Sequence, residues 1–388
     1  MKSQDLKAFI KKYTMVIALV IVFIFFTILT EQRLVLAQNV SNLLLQNAYV
    51  LVMACGMLLC ILTGGNVDLS IGSTLCLSAA LSAKLLSSGF SAPVAIIVSL
   101  LVSAIIGIWQ GYLIGYVHIP PFICTLAGMF LFRGLARVVL NSKTISISNE
   151  SFLNLFTSYI QIPGLDENKN CVSALIIGII VAIVVAMLFF TTRRKQIKNG
   201  YPTGSFSSMI VKLVIIDALI ILYSIKLMQY KGVPVMLIWI LAVVLIFAFL
   251  TSSTVFGRYF YAVGGNEKAT KLSGIDPRKV YFVAYFLMSF LAGLSGLLMG
   301  ARIGSVDGSM GQSYEMDAIA SCFIGGASAY GGSGTVPGIM VGAILLGVIN
   351  QGMSIYGLSD QWQYVVKGAV LLAAVVFDVV SNHKTGKS

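Results

Sequence analysis

Charge is scarce in this sequence. Asp, Glu, Lys and Arg together make up 10% of its 388 residues, against about 25% in an ordinary soluble domain. A chain this poor in charge cannot cover a water-facing surface, so lipid must be its solvent. Histidine is nearly absent, with His118 and His383 the two examples. The six cysteines (Cys55, Cys60, Cys76, Cys124, Cys171 and Cys322) sit almost all within apolar runs, and no Cys-x-x-Cys occurs. That pattern supplies neither a zinc-ligand set nor a disulfide framework, and small apolar packing residues account for it. Ten-residue alternation of apolar and polar side chains is also missing, which excludes a transmembrane β-barrel.

What is present is apolar: 58% of residues are hydrophobic and the mean hydropathy is +0.93. A span needs about 20 apolar residues, and the runs 14–30, 42–62, 69–88, 92–117, 121–140, 171–192, 209–228, 233–252, 280–301 and 361–380 qualify. The stretch 316–356 is apolar but interrupted by glycines and reads as two crossings. The expectation is an all-α polytopic membrane bundle of about 10–12 transmembrane helices with glycine-broken segments, residues 1–388 forming one domain. The run from near Thr14 follows Lys2, Lys7, Lys11 and Lys12, precedes Glu31 and Arg33, and lacks a small-residue cleavage site. It reads as a retained first span rather than a signal peptide.

The net charge of +12 would suggest nucleic acid in a soluble protein. Here the basic residues cluster in a few loops, which is a signal of membrane orientation instead. Arg193, Arg194, Lys195 and Lys198 mark one cytoplasmic loop, and Arg258, Lys268, Lys271, Arg278 and Lys279 mark another. The N-terminal lysines together with Lys384 and Lys387 place both ends inside. Loop 141–170, with Glu150, Asp166 and Glu167 against Lys143 and Lys169, then faces outward. Twelve alternating spans satisfy every basic loop at once.

Three glycine-rich motifs stand out. The first is Gly64-Gly65-Asn66-Val67-Asp68-Leu69-Ser70-Ile71-Gly72-Ser73. Its glycines end one helix, and Asp68 or Ser70 is placed to cap the next. The break is either a plain helix-loop-helix cap or a feature of the permeation path or a partner interface. The second lies in loop 253–279: Gly264-Gly265-Asn266 leads into Glu267, Lys268, Ala269, Thr270, Lys271, Leu272 and Ser273, then Gly274. Asn266 suits the N-cap, Glu267 the first turn and Gly274 the position past the end. The product is a helix of about 10 Å, too short to persist without something to dock on. The third motif spans 325–338. It lacks the lysine of a phosphate-binding GxxxxGK[ST] loop, so this chain is not expected to bind nucleotide there, and an ATPase would have to be a separate chain.

Other features have two readings each. Gly107, Gly111 and Gly115 recur four apart, as do Gly296 and Gly300, and Gly338 and Gly342, a spacing that lets helices approach closely. Asp217 lies mid-span between Lys212 and Lys226, Arg133 and Arg137 share a face, and Lys367 sits in the last span. Such charges are either paired inside the bundle or part of an ion path.

Together the three motifs resemble those of the permease subunits of bacterial monosaccharide ABC importers, the ribose, galactose and xylose type. Residues 64–73 resemble that family's GG-x-x-DLS-x-GS signature, 262–275 its cytoplasmic loop, and 315–355, which includes Glu315 and Asp317, its C-terminal block. The likeness covers roughly 40–140 and 255–380. The additional loop and span at 193–230 resemble the longer xylose and multiple-monosaccharide permeases. The resemblance implies a transport subunit, not an enzyme, in a bacterial inner membrane. It holds no cofactor itself, and ATP and magnesium bind to partner ATPase subunits. A periplasmic or lipid-anchored sugar-binding protein would deliver sugar, and a second permease chain, an identical copy, would complete the pore. It implies further that Gly264, Gly265, Asn266, Glu267, Ala269, Leu272 and Gly274 couple the chain to the ATPase. Candidates for the sugar path are Trp109, Gln110, Asn350, Gln351, Trp362 and Gln363, each of which serves equally as an interfacial anchor or an interhelical hydrogen bond. Two other readings remain open: an ion-coupled secondary carrier, and a permease of the same family for a nucleoside or signalling sugar derivative.

Overall fold

The structure is a computed structural model that describes residues 3–162, 166, 170–203 and 205–383. Lys2, Glu167, Lys169, Lys384 and Lys387, which entered the charge argument, lie outside the described residues.

The first apolar run forms α1 (Ser3–Leu29). The expected span 42–62 is two helices, α2 (Ala37–Gln46) and α3 (Ala48–Leu62), broken at Asn47, whose amide donates to the Leu43 carbonyl at 2.7 Å. Next come α4 (Ile71–Ser87), α5 (Ala92–Gly115) and α6 (Pro121–Leu140). Proline stands in the first turn of both α5 and α6, where its missing N–H costs nothing. Segment 141–170 carries α7 (Glu150–Thr157), capped by Asn149, which accepts from the Phe152 N–H. A hairpin of α8 (Val172–Lys198) and α9 (Phe206–Met228) leads to α10 (Val235–Ser253). Two short helices, α11 (Val255–Gly265) and α12 (Glu267–Leu272), precede α13 (Pro277–Ile303). The chain closes with α14 (Tyr314–Ile324), α15 (Val336–Tyr356) and α16 (Asp360–His383). Two antiparallel ladders of two residues each join Ile145–Ser146 to Ser305–Val306 and Tyr159–Ile160 to Val233–Pro234. They pin residues 145–146 to the loop after α13 and residues 159–160 to the start of α10.

Among the described residues, eight helices are long and apolar enough to cross a membrane, by length and composition. The first run forms the 27-residue helix Ser3–Leu29, while Ile71–Ser87 is apolar but shorter than a full span and α14 has eleven residues. The glycine-broken stretch 316–356 does hold two helices, α14 and α15.

The centre is α3 and α13. Every residue of α3 is buried, and the apolar window within Ala37–Leu62 is 89% buried, so that helix meets protein rather than lipid. At the other extreme α8 and α9 have windows 17% and 11% buried, a peripheral hairpin. The glycine stripes act as packing surfaces. A Cβ at Gly107, Gly111 or Gly115 would fall 2.8, 2.7 or 2.6 Å from the backbone of Phe286, Phe282 or Arg278, so α5 lies antiparallel on α13 at backbone contact. Gly338 and Gly342 set α15 against the carbonyls of Gly325 and Ser321 in the same way, and Gly296 sets α13 against Leu75 of α4.

Candidate coupling and conduction elements

The three glycine motifs, far apart in sequence, converge on one junction. A Cβ on Gly65 would lie 1.9 Å from the Ala329 carbonyl oxygen, and one on Gly264 would lie 1.7 Å from that of Leu62. One on Gly331 would lie 2.5 Å from the Cα of Gly64. The Gly332 N–H donates to the Leu62 carbonyl at 3.0 Å, and the Tyr261 hydroxyl donates to the Gly334 carbonyl at 3.0 Å. Three backbones touch where any side chain would hold them apart. The end of α3, the end of α11 and the loop between α14 and α15 are therefore one mechanical unit.

From that junction α12 projects. Asn266 caps it as the sequence predicts, its Oδ1 accepting from the Ala269 N–H at 2.9 Å. Gly274 takes positive φ just past the end. The Thr270 hydroxyl donates back to the carbonyls of Ala262 and Asn266, and the Tyr281 hydroxyl of α13 donates to Glu267 at 3.0 Å. These bonds hold a six-residue helix that could not persist by itself. Glu267 and Ala269 are exposed, and Leu272 is 90% exposed. Beside it, Arg278 hydrogen-bonds Asp276 and holds its carboxyl below the ordinary carboxylate range.

Elsewhere in the bundle, two helices begin at one another. A Cβ on Gly72, in the first turn of α4, would meet the Gly311 carbonyl at 2.3 Å and Glu315 Oε2 at 2.4 Å. The starts of α4 and α14 thus face each other, each preceded by an unwound segment, 63–70 and 304–313. Asp68 and Ser70 in the first segment and Met310 and Gly311 in the second are buried, where surrounding protein lets the backbone be non-helical, whereas Asp307, Ser309 and Gln312 are exposed. Asp68 is fully buried. Its Oδ1 accepts from the Ser70 N–H at 2.8 Å and the Ser70 hydroxyl at 2.6 Å, while Oδ2 has no partner among the described residues. Asp68 therefore turns the chain at Ser70, and neither side chain caps α4 in the expected manner; Ser70 occupies the cap position without a side-chain bond into the helix. The Gln110 amide of α5 donates to the Ser70 hydroxyl at 2.9 Å and accepts from Ser289 of α13 at 3.2 Å.

At the start of α14, Glu315 and Asp317 are both buried. Asp317 accepts from the Tyr49 hydroxyl at 2.6 Å and pairs with Lys367 of α16 at 3.0 Å. Tyr49 stacks on Tyr314 with ring centroids 3.7 Å apart. Arg133 donates to the Met310 carbonyl, and Arg137 lies against Gly308. Asp217 differs from these charges. Among the described residues it forms no ion pair, and its Oδ1 is buried without a partner.

The six candidate path residues do not form one site. Gln110 is an interhelical hydrogen bond, and so is Gln351, which donates to the Asn39 carbonyl at 2.7 Å. Asn350 leaves a buried Oδ1 unpartnered. Trp109 is 40% exposed, edge-on to Phe132, and Trp362 is 62% exposed, as anchors facing lipid would be. Gln363 donates to the Leu358 carbonyl and lines a cavity of about 250 Å³ with Gln312, Tyr314, Tyr364 and Lys367. Sequence reasoning missed Tyr49, Tyr281 and Ser289, which complete the networks above. Tyr281 and Tyr285, four apart in an apolar helix, were the one available signal for that face of α13.

A lipid-facing bundle with partly buried unwound segments is the architecture of a membrane transport protein. Residues 39–163 and 162–375 match the family described as branched-chain amino acid transport system / permease component. The xylose transport system permease protein XylH of Haemophilus influenzae is 34% identical over 374 residues, covering 96% of this chain and 97% of that one. XylH of Escherichia coli is 33% identical, covering 99% and 95%. The ribose import permease protein RbsC of Escherichia coli is 31% identical, covering 88% and 85%. No solved structure matches. The chain belongs to this permease family.

Proposed function

We propose that this chain is the membrane-spanning subunit of an ATP-driven monosaccharide importer, with xylose the first substrate to test. A separate ATPase would work the pore through α12. Xylose permeases that align over nearly the whole chain support the substrate class. The observation that carries the coupling role is Leu272, 90% exposed at the tip of a capped helix. An apolar side chain offered to water on so short a helix fits a partner's cleft.

The mechanism follows from the junction. ATP and magnesium, bound by the partner, supply the energy. Closure of the ATPase pair displaces α12, and α12 cannot move without α11, whose Gly264 rests on the Leu62 carbonyl and the Gly332 amide. The displacement therefore reaches the end of α3 with segment 63–70, and the 325–335 loop between α14 and α15. Rigid helices then rock about the facing starts of α4 and α14, opening a path on the side where a sugar-binding protein docks. Two identical chains would enclose that path. The basic loops put α12 and both termini in the cytoplasm.

The test is reconstitution with the cognate ATPase and binding protein. In Glu267→Ala/Leu272→Ala, ATP-driven D-xylose uptake and sugar-stimulated ATP hydrolysis should both fall at least tenfold, while the permease stays monodisperse. Normal sugar-stimulated hydrolysis in that variant would remove α12 from the coupling path. Uptake that needs an ion gradient and no ATP would replace the importer by a carrier.

A further inference from the structure

The α8–α9 hairpin contributes to none of the networks above, and its shape is uneven. At one end the helices are clasped. A Cβ on Gly178 would lie 2.0 Å from the Ser224 hydroxyl, and Ala174, Leu227 and Val233 form a small core there with Ile177 and Tyr223. Gly178 to Arg193 is about 22 Å along α8, and Ser224 to Lys212 about 18 Å along α9, at 1.5 Å per residue. Over that distance toward the other end of the hairpin, a cleft of about 320 Å³ is lined by residues of both helices.

The lining of the cleft is of two chemical kinds. Apolar Leu188, Phe189 and Met209 line it, and so do Arg193 of α8 and Lys212 of α9, together with Ser205 and Ser208. Arg193 lies over the Phe206 ring, 5.4 Å from its centroid. Lys212 forms no ion pair among the described residues. Between Asn170 and Ile216 the sequence contains no acidic residue. The first-turn N–H groups of α9, beside Ser205 and Ser208, add positive potential where the two cations converge.

We propose that this cleft binds an anionic phospholipid of the cytoplasmic leaflet, its phosphate held between Arg193 and Lys212 and an acyl chain laid on Leu188, Phe189 and Met209. Charge complementarity selects the ligand. A basic pocket between transmembrane helices on the cytoplasmic side suits an anionic head group, and the apolar lining gives free phosphate no advantage. The lipid would fill the space between the two helices, and so stiffen a hairpin that otherwise meets the bundle weakly. The placement in the cytoplasmic leaflet rests on the orientation proposed above; the binding measurement does not read transport, so its failure leaves the importer reading intact.

The experiment is native mass spectrometry of the detergent-purified permease titrated with dioleoylphosphatidylglycerol or dioleoylphosphatidylcholine. Wild type should retain phosphatidylglycerol in preference to phosphatidylcholine, and Arg193→Gln/Lys212→Gln should lose about tenfold in phosphatidylglycerol affinity. Arg194→Gln/Lys195→Gln removes the same charge beside the cleft and should retain the lipid. If the double variant does not purify as a monodisperse protein, Lys212→Gln alone carries the comparison. Equal retention of the two lipids, equal loss in the control pair, or displacement by excess inorganic phosphate would each overturn the proposal.

Discussion

Gly264 and Gly265 are adjacent in the chain and should respond in opposite ways to the same methyl group. At Gly264 the new Cβ would lie 1.7 Å from the Leu62 carbonyl oxygen and 2.5 Å from the Gly332 nitrogen. Real Cβ atoms keep more than 3.0 Å from such neighbours, so α11 must withdraw from α3. Withdrawal disturbs the 3.0 Å bond from the Gly332 N–H to the Leu62 carbonyl, and Leu62 is fully buried. Overpacking costs about 1–3 kcal/mol, and leaving a buried polar group unpaired about as much again. Gly264→Ala should therefore lose about 2–6 kcal/mol. Gly265 has nothing within 4 Å of its Cβ position and no positive φ. Gly265→Ala relieves backbone entropy at a helix end and should be neutral or stabilising by about 0.5 kcal/mol. Fluorescence-detected size-exclusion chromatography after heating detergent-solubilised protein reads both. If the two variants melt together, or Gly264→Ala melts above wild type, the three-backbone junction is not the structural hub described here. On the proposed coupling through α12, Gly264→Ala should also depress uptake in whatever folded fraction remains.

Further perturbations follow from the same packing. Lys367→Met strands the buried Asp317 carboxylate, and since Lys367 keeps 24% of its side chain exposed the loss should be about 2–4 kcal/mol, below the full buried-pair range. Adding Asp317→Asn should restore most of it, and a double variant no better than Lys367→Met would refute the pair. Gly111→Ile places a branched side chain against the Phe282 backbone, 2.7 Å from its carbonyl oxygen, and should abolish the monodisperse peak, whereas Gly134→Ile, with open space around it, should leave the peak intact. Asp217→Asn removes a half-buried carboxylate, one of whose oxygens has no partner among the described residues, from a membrane helix, where such a group is costly. Its melting temperature should equal or exceed wild type with uptake within about twofold of it, and lost uptake with normal assembly would instead mark Asp217 as part of a conduction path.

The polar networks divide by how local their chemistry is. Asn266 announced its cap and Gly274 its positive φ because both act within one turn of chain, where sequence spacing is spatial distance. Asp68 misled in the same region. Its carboxylate serves Ser70 alone, because the unwound backbone at 63–70 needed a turn more than α4 needed a cap. Asp317 and Lys367 were visible as charges in apolar surroundings, yet their partnership joins positions 50 residues apart, and Tyr49 comes from 268 residues away. No local rule reaches that far.

Composition alone determined that lipid is the solvent, that the fold is helical, and where most of the long helices lie, because each apolar run must satisfy its own backbone hydrogen bonds within itself. The glycine spacing determined which faces permit close approach. What only the tertiary structure decided is which surfaces meet there: that Gly64, Gly264 and Gly332 share one junction, that α4 and α14 begin against each other, and that Gly178 and Ser224 clasp α8 to α9. Those choices depend on side chains and carbonyls distant in sequence filling the same few ångströms. Packing settles that globally, while a hydrophobic pattern records only that a face is apolar and says nothing of its partner.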